Sequence, residues 1–312
     1  MDTNKILAQI PFALKETQFP FPNKITGKVR DSYIIDDKRI IIVTDRISAF
    51  DRVLGTLPFK GEILQAVSNY WFQQTEDIIP NHIIDTPDPN AIIVRNCRTL
   101  PVEVIVRGYI TGSLWRAYQT GEREMYGIRF AEGLQQNQAF EQPIITPSTK
   151  AEQGEHDAPL TPREIIEGGW VEAGLWRRIE EIALALFHRG QEIALEKGLI
   201  LVDTKYEFGL WNEELILIDE VHTPDSSRYW YEDSYQTGTP RQLDKEYIRQ
   251  WLIELGFMGE GVIPELTHPV ICEAVERYLT IYRLFLNHDL ETRPGNVYER
   301  LEGNLRHYGI LV

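Results

Sequence analysis

The chain has 312 residues, enough for about two domains or one large one. With 43% hydrophobic and 25% charged residues it reads as an ordinary globular protein. A net charge of −15, from 32 Lys and Arg against 47 Asp and Glu, argues against a broad basic surface for nucleic acid or an anionic membrane.

No stretch approaches the ~20 apolar residues of a membrane span. The opening MDTNKILAQI carries no signal pattern, and Cys97 and Cys272 could form one bridge at most, so a reduced, cytoplasmic protein is expected. Small anionic ligands stay open, because a few cations can be gathered in a cleft of an acidic chain.

Strand signals dominate the first third. Residues 29–35 and 39–44 are β-rich runs around Asp36-Asp37-Lys38, which predicts a hairpin. Residues 61–77 carry apolar side chains at helical spacing, and 91–95 and 102–107 are short strands, with Pro101 just before the second. A helix is expected to begin near Ser113. Thr161-Pro162-Arg163-Glu164 is a capping box with proline at the first helical position.

Residues 170–197 are mostly helical by period, with Gly198 as a stop. Residues 199–210 and 215–221 predict a second hairpin. Helices at 243–255, stopped by Gly256, and at 269–286 follow. Strands first, then helices with an embedded hairpin, is α+β, with a β-rich lobe over 1–106 and a mixed lobe over 107–312.

The segment LVDTKYEFG is the most informative. On a strand Asp203, Lys205 and Glu207 share a face, and a two- or three-residue turn brings Glu207 within about one residue of facing Asp219. Such carboxylates suit Mg2+ held with substrate phosphates; the plain alternative is a solvated hairpin face. In DEVHTPDSSR, Pro224-Asp225-Ser226 is turn chemistry, which sets Arg228 in a loop beside the carboxylates to grip a phosphate. His222 is either a general base or, more plainly, a hydrogen-bonded loop residue.

Gly27 in TGKVRD lets a backbone approach a ligand closely, and Lys28 and Arg30 alternate onto one face, although no Walker A pattern is present. DRISAFD follows a buried-looking strand. Arg107 and Ser113 in RGYITGS precede a helix whose N-terminus suits a phosphate or is ordinary cap chemistry. TPSTKAEQGEHD is a polar loop, a lid or a connection.

Together GKVRD, DRISAFD, RGYITGS, TPSTKAEQGEHD, LVDTKYEFG and DEVHTPDSSR, in that order, resemble the SAICAR synthetase (phosphoribosylaminoimidazole-succinocarboxamide synthase) family over residues 20–255, in its longer, yeast-type form. The resemblance implies a kinase-like two-lobed α+β fold with ATP between the lobes. It implies an ATP- and Mg2+-dependent ligase that joins L-aspartate to the carboxylate of carboxyaminoimidazole ribonucleotide (CAIR) through an acyl phosphate, in purine biosynthesis.

By the same resemblance Gly27, Lys28, Val29 and Arg30 cover the ATP phosphates, and Glu103 to Ile105 offer backbone groups to adenine. Glu207 and Asp219 hold Mg2+. Ser48, Ala49, Phe50, Asp51, Arg107, Ser113, Lys205 and Arg228 surround the ribonucleotide, and Thr149 and Lys150 face aspartate. Asp225 and His222 are candidates for accepting the amine proton. The rivals are a small-molecule kinase, which would not need aspartate, and a nucleotide-binding regulatory module without turnover. Monomer and homodimer are equally compatible with the sequence.

Overall fold

The runs on either side of Asp36 are rich in isoleucine and valine, and the aspartates turn the chain back. The computed structural model describes residues 1–150, 158–243 and 245–311. In it these runs form strands Arg30–Ile35 and Lys38–Val43, joined through Asp36 at positive φ. They sit in a five-stranded antiparallel sheet with Lys24–Thr26 on one edge and Ala91–Arg95 and Ile83–Asp88 on the other side.

A second sheet, also antiparallel, is built on Arg98–Tyr109 and Leu199–Trp211, which pair along most of their length. Ala139–Ile145 and Ser148–Thr149 border the first of these; Glu214–Ile218 and Ser227–Tyr231 border the second. The change of sheet comes at Asn96-Cys97, while position 106 falls inside a continuous strand. Pro101 also lies inside that strand rather than before it, where the register with Leu199–Trp211 shifts between Glu207 and Gly209. An irregular register is where a residue without an N–H is tolerated.

Helix Ala173–Glu196 buries Trp176, Ile179, Ala183, Leu186, Phe187, Gly190 and Ala194, a stripe at helical spacing that packs on Leu199–Trp211. Lys60–Gln74 and His268–Leu286 pack against each other around Trp71 and Phe285, whose ring centroids lie 4.9 Å apart. The capping box at Thr161 forms as its sequence requires: its hydroxyl accepts from the Glu164 N–H, and the Glu164 carboxylate accepts from the Thr161 N–H.

Among the helices that go beyond the periodic signals are Thr3–Gln9 and Val297–His307. The second has a single narrow stripe, Val297, Leu301 and Leu305, which covers Tyr33, Ile40 and Ile42 of the first sheet. The sheets meet at a seam where the Leu217 carbonyl accepts from His82 N–H and Leu217 N–H donates to Pro80. Among the described residues no helix is long and apolar enough to cross a membrane. A cleft of about 1050 Å3 opens between the two sheets.

Candidate active site

The cleft floor is set by one tight hairpin. Asn212 and Glu213 both take positive φ, the geometry of a two-residue turn that matches strand twist. That turn pairs Glu207 with Ile218, so Asp219 is the next residue beyond the facing position. Asp203, Lys205 and Glu207 line the cleft from alternate positions of one strand, as expected.

Lys205 is the hub of this floor. Its ammonium donates to Glu207, to Glu103 at 3.1 Å and to Asp219 at 3.4 Å. Lys150 also pairs with Glu207. Arg30 pairs with Asp219 and, at 2.9 Å, with Glu220. Burial opposes the Lys205 charge, but Glu207, Asp219 and Glu103 hold it protonated well above the usual lysine range. Burial likewise opposes the Asp219 charge, yet Arg30 and Lys205 keep its carboxyl far below the usual range. Asp219 is therefore an ionised hard-oxygen donor, and cationic side chains converge on both expected metal ligands.

Among the described residues no group of three or more His, Cys, Asp or Glu is placed to hold a metal ion. Two carboxylates, with further oxygens supplied by phosphates, is a donor set that fits Mg2+.

Above the floor runs the loop with Gly27 and Lys28. Arg46, from the DRISAFD segment, fixes it from below. Its guanidinium donates to the carbonyls of Lys28 at 2.9 Å, Gly27 at 3.0 Å and Lys15 at 2.6 Å, and to Asp31 at 2.8 Å. Gly27, Lys28, Val29 and Arg30 all line the cleft; Arg30 begins strand Arg30–Ile35 and points to the acidic floor. Ser48, Ala49, Phe50 and Asp51 line it from a hairpin whose turn residues, Phe50 and Asp51, take positive φ. Lys28 pairs with Asp51 across the opening.

A second cationic basin forms around Asp203. Arg107, buried in strand Arg98–Tyr109, donates to Asp203 at 3.2 Å and to the Thr146 hydroxyl at 2.9 Å. Arg228 pairs with the same carboxylate. It does so from strand Ser227–Tyr231, directly opposite Asp203, and not from a loop; the turn ends one residue earlier. Gly112, at φ +58°, lies against the Arg228 guanidinium, and a Cβ there would stand 2.6 Å from its Nη2. Ser113 follows it in the first turn of Gly112–Gln119 but is exposed and outside the cleft lining.

Other expectations are corrected by the packing. The backbone of Glu103 to Ile105, expected to meet adenine, is flanked on both sides: Leu199–Trp211 pairs along one side of that strand, and Ser148 and Thr146 meet the other, Thr146 N–H donating to the Ile105 carbonyl. A smaller cavity of about 80 Å3 adjoins the floor instead, with Ile41, Val94, Thr99 and Ile218 in its walls and Glu207 and Asp219 shared with the main cleft.

Thr149 is turned away, its hydroxyl accepting from Ala158 N–H, whereas Lys150 reaches the floor. Residues 151–157 of the expected lid lie outside the described residues.

His222 is fully buried against Gly190, Trp71 and the Tyr206 hydroxyl, and burial pushes its pKa down to about 3. It is a packing residue, the plainer of its two readings. Asp225 does line the cleft, but Lys60 donates to it at 2.6 Å and Tyr278 at 2.6 Å. Burial opposes its charge, and Lys60 overrides this, holding the pKa near about 2. So held, it is a weak proton acceptor.

The sequence reading passed over Arg46, Lys60, Lys245 and Arg249. The last two line the cleft from one face of helix Glu246–Glu254, where Lys245 is the N-cap, and their i, i+4 spacing was the available signal.

The family model of SAICAR synthetase matches residues 23–265. Phosphoribosylaminoimidazole-succinocarboxamide synthase of Legionella pneumophila (strain Lens) is 44% identical, over 96% of this chain and 99% of that protein. The protein of the same name from Bacteroides thetaiotaomicron is 43% identical, over 95% of this chain and 98% of that one. The fold is similar to that of the Saccharomyces cerevisiae SAICAR synthase solved with SAICAR. The TM-score is 0.80 and the identity 32%, covering 90% of this chain and all (100%) of that one. The chain belongs to the SAICAR synthetase family, the enzymes that ligate L-aspartate to CAIR with ATP in purine biosynthesis.

Proposed function

We propose that the cleft carries out this ligation in two steps, and that the carrying observation is the convergence of Lys205, Lys150 and Arg30 on Glu207 and Asp219 beside the Arg107–Arg228 basin. A carboxylate is a poor electrophile. An oxygen of the CAIR carboxylate therefore attacks the γ-phosphorus of ATP, and the bond to the bridging oxygen breaks to release ADP. The amine of aspartate then attacks the acyl carbon. The C–O bond to phosphate breaks, and the departing phosphate, a stronger base than Asp225, takes the amine proton.

The first step brings two anions together. Unit charges ~4 Å apart at an effective dielectric of ~20 repel by about 4 kcal/mol. Lys205 and Arg30 sit where they offset that repulsion and stabilise the transferring phosphoryl group. Bound at Glu207 and Asp219, Mg2+ would neutralise phosphate charge. Gly27, Lys28 and Val29 cover the triphosphate, and the base enters the smaller cavity between Ile41, Val94 and Ile218. Arg107 and Arg228, with Gly112 and Ser113 at the rim, take the ribonucleotide phosphate, and Ser48, Ala49, Phe50 and Asp51 wall its other side. The two free cysteines fit a reducing, cytoplasmic setting.

The test is phosphate and ADP release from ATP with Mg2+, CAIR and L-aspartate supplied singly and together, with the succinocarboxamide product followed by absorbance. Product that requires all of them supports the reading. ADP formed at full rate without aspartate, as a final phosphorylated product, overturns it.

A further inference from the structure

We propose that Lys245 and Arg249 form the subsite that holds the carboxylates of L-aspartate; this rests on the ligase reading above. The cations of the floor and basin are answered by carboxylates of the chain: Arg30 by Asp219 and Glu220, Lys150 and Lys205 by Glu207, Arg107 and Arg228 by Asp203. Lys245 and Arg249 line the same cleft and, among the described residues, take part in no ion pair.

Arg249 carries a second mark. Its Nε is buried and has no hydrogen-bond partner. Its guanidinium lies 4.6 Å over the ring of Phe50, which fixes the fork against the cleft wall. A buried donor left without an acceptor is unfavourable, and an acceptor arriving with a ligand removes that penalty.

The placement also suits the amine donor. Lys245 is close enough to lower the Asp225 carboxyl, and Asp225 in turn acts on Arg30 at the floor. Arg249 acts on Arg116 together with Arg228 and Arg107 of the basin. The pair thus bridges the phosphoryl-transfer floor and the basin, and the attacking amine must lie between these. Aspartate brings two carboxylates. A point-charge ammonium and a planar guanidinium one helical turn apart can take one each. An amino acid with one carboxylate leaves one of the two cations unanswered, which selects for aspartate. Of the residues expected in this role, Thr149 faces Ala158 and Lys150 pairs with Glu207.

The experiment measures KM for aspartate, CAIR and ATP in the full-length enzyme and in Arg249→Gln, Arg249→Lys and Lys245→Gln, with thermal stabilisation by Mg·ADP reporting an intact nucleotide site. Each Gln variant should raise KM for aspartate by roughly tenfold to a hundredfold, the loss of a charged hydrogen bond. KM for CAIR and ATP and the Mg·ADP stabilisation should hold, and Arg249→Lys should recover part of the loss. A rise confined to CAIR would assign the pair to the ribonucleotide phosphate and overturn the proposal, as would unchanged constants. Wild-type enzyme that makes no product from aspartate would instead overturn the ligase reading, and is tested first.

Discussion

Lys60→Met tests whether Asp225 is held as a buried, ionised anchor. Lys60 is 1% exposed at the start of helix Lys60–Gln74. Its ammonium lies 2.6 Å from Asp225 Oδ2, while Tyr278 donates to Oδ1 at 2.6 Å. Methionine nearly matches the volume and removes only the charge, leaving a buried carboxylate with one hydroxyl donor. Breaking a buried pair from one side costs about 3–5 kcal/mol.

The pH dependence follows from the same pair. In the wild type the Asp225 pKa, near about 2 against an ordinary 3.8, adds stability that is present above 3.8 and lost as pH falls through about 2. That amounts to about 2 kcal/mol. Without Lys60 burial dominates, and the folded pKa rises above 3.8. The variant then loses stability as pH rises through that raised value. The deficit measured by urea unfolding should be smallest near pH 2, already about 2 kcal/mol near pH 4, and full at pH 7. A deficit below about 1 kcal/mol at pH 7, or one that does not change with pH, would refute the reasoning.

Asp219→Asn should abolish turnover with the circular dichroism spectrum kept, because Arg30 retains Glu220; wild-type-like rates would remove Asp219 from the metal site. Gly112→Ala forces a Cβ at positive φ to within 2.6 Å of Arg228, so KM for CAIR should rise severalfold while that for ATP stays constant in steady-state assays. Asp45 accepts from the Leu14 and Gly61 N–H groups, and burial raises it from 3.8 to about 6. Its contribution is complete below 3.8 and lost as pH rises through about 6, roughly 3 kcal/mol in all. Asp45→Asn removes that slope, so its stability deficit in urea should shrink from pH 4 to pH 7; a constant deficit would count against the assignment.

Much of the site was legible where chemistry and position are coupled locally. The face shared by Asp203, Lys205 and Glu207 is a property of any strand, and the Asn212-Glu213 turn sets the Asp219 register. The capping box at Thr161 needed only its own four residues. Arg228 was misplaced because the strand that carries it, Ser227–Tyr231, is stabilised by pairing with Leu199–Thr204 rather than by its own alternation. Val297–His307 was missed for a related reason: its stripe is short and finds its apolar partners on a sheet more than two hundred residues earlier in the chain.

The sequence by itself determined the hairpins, the caps and stops, and the order of charged motifs that carries the family resemblance. All of these depend on residues within a turn or a strand of one another. Only the tertiary structure decided which groups remain available. It flanked the backbone of Glu103 to Ile105 with two neighbours, turned Thr149 outward, buried His222, and tied Asp225 to Lys60 and Tyr278. It also left Lys245 and Arg249 facing the cleft with no ion pair among the described residues. Whether a charge is free or answered depends on partners tens to hundreds of residues away, and local pattern carries no record of them.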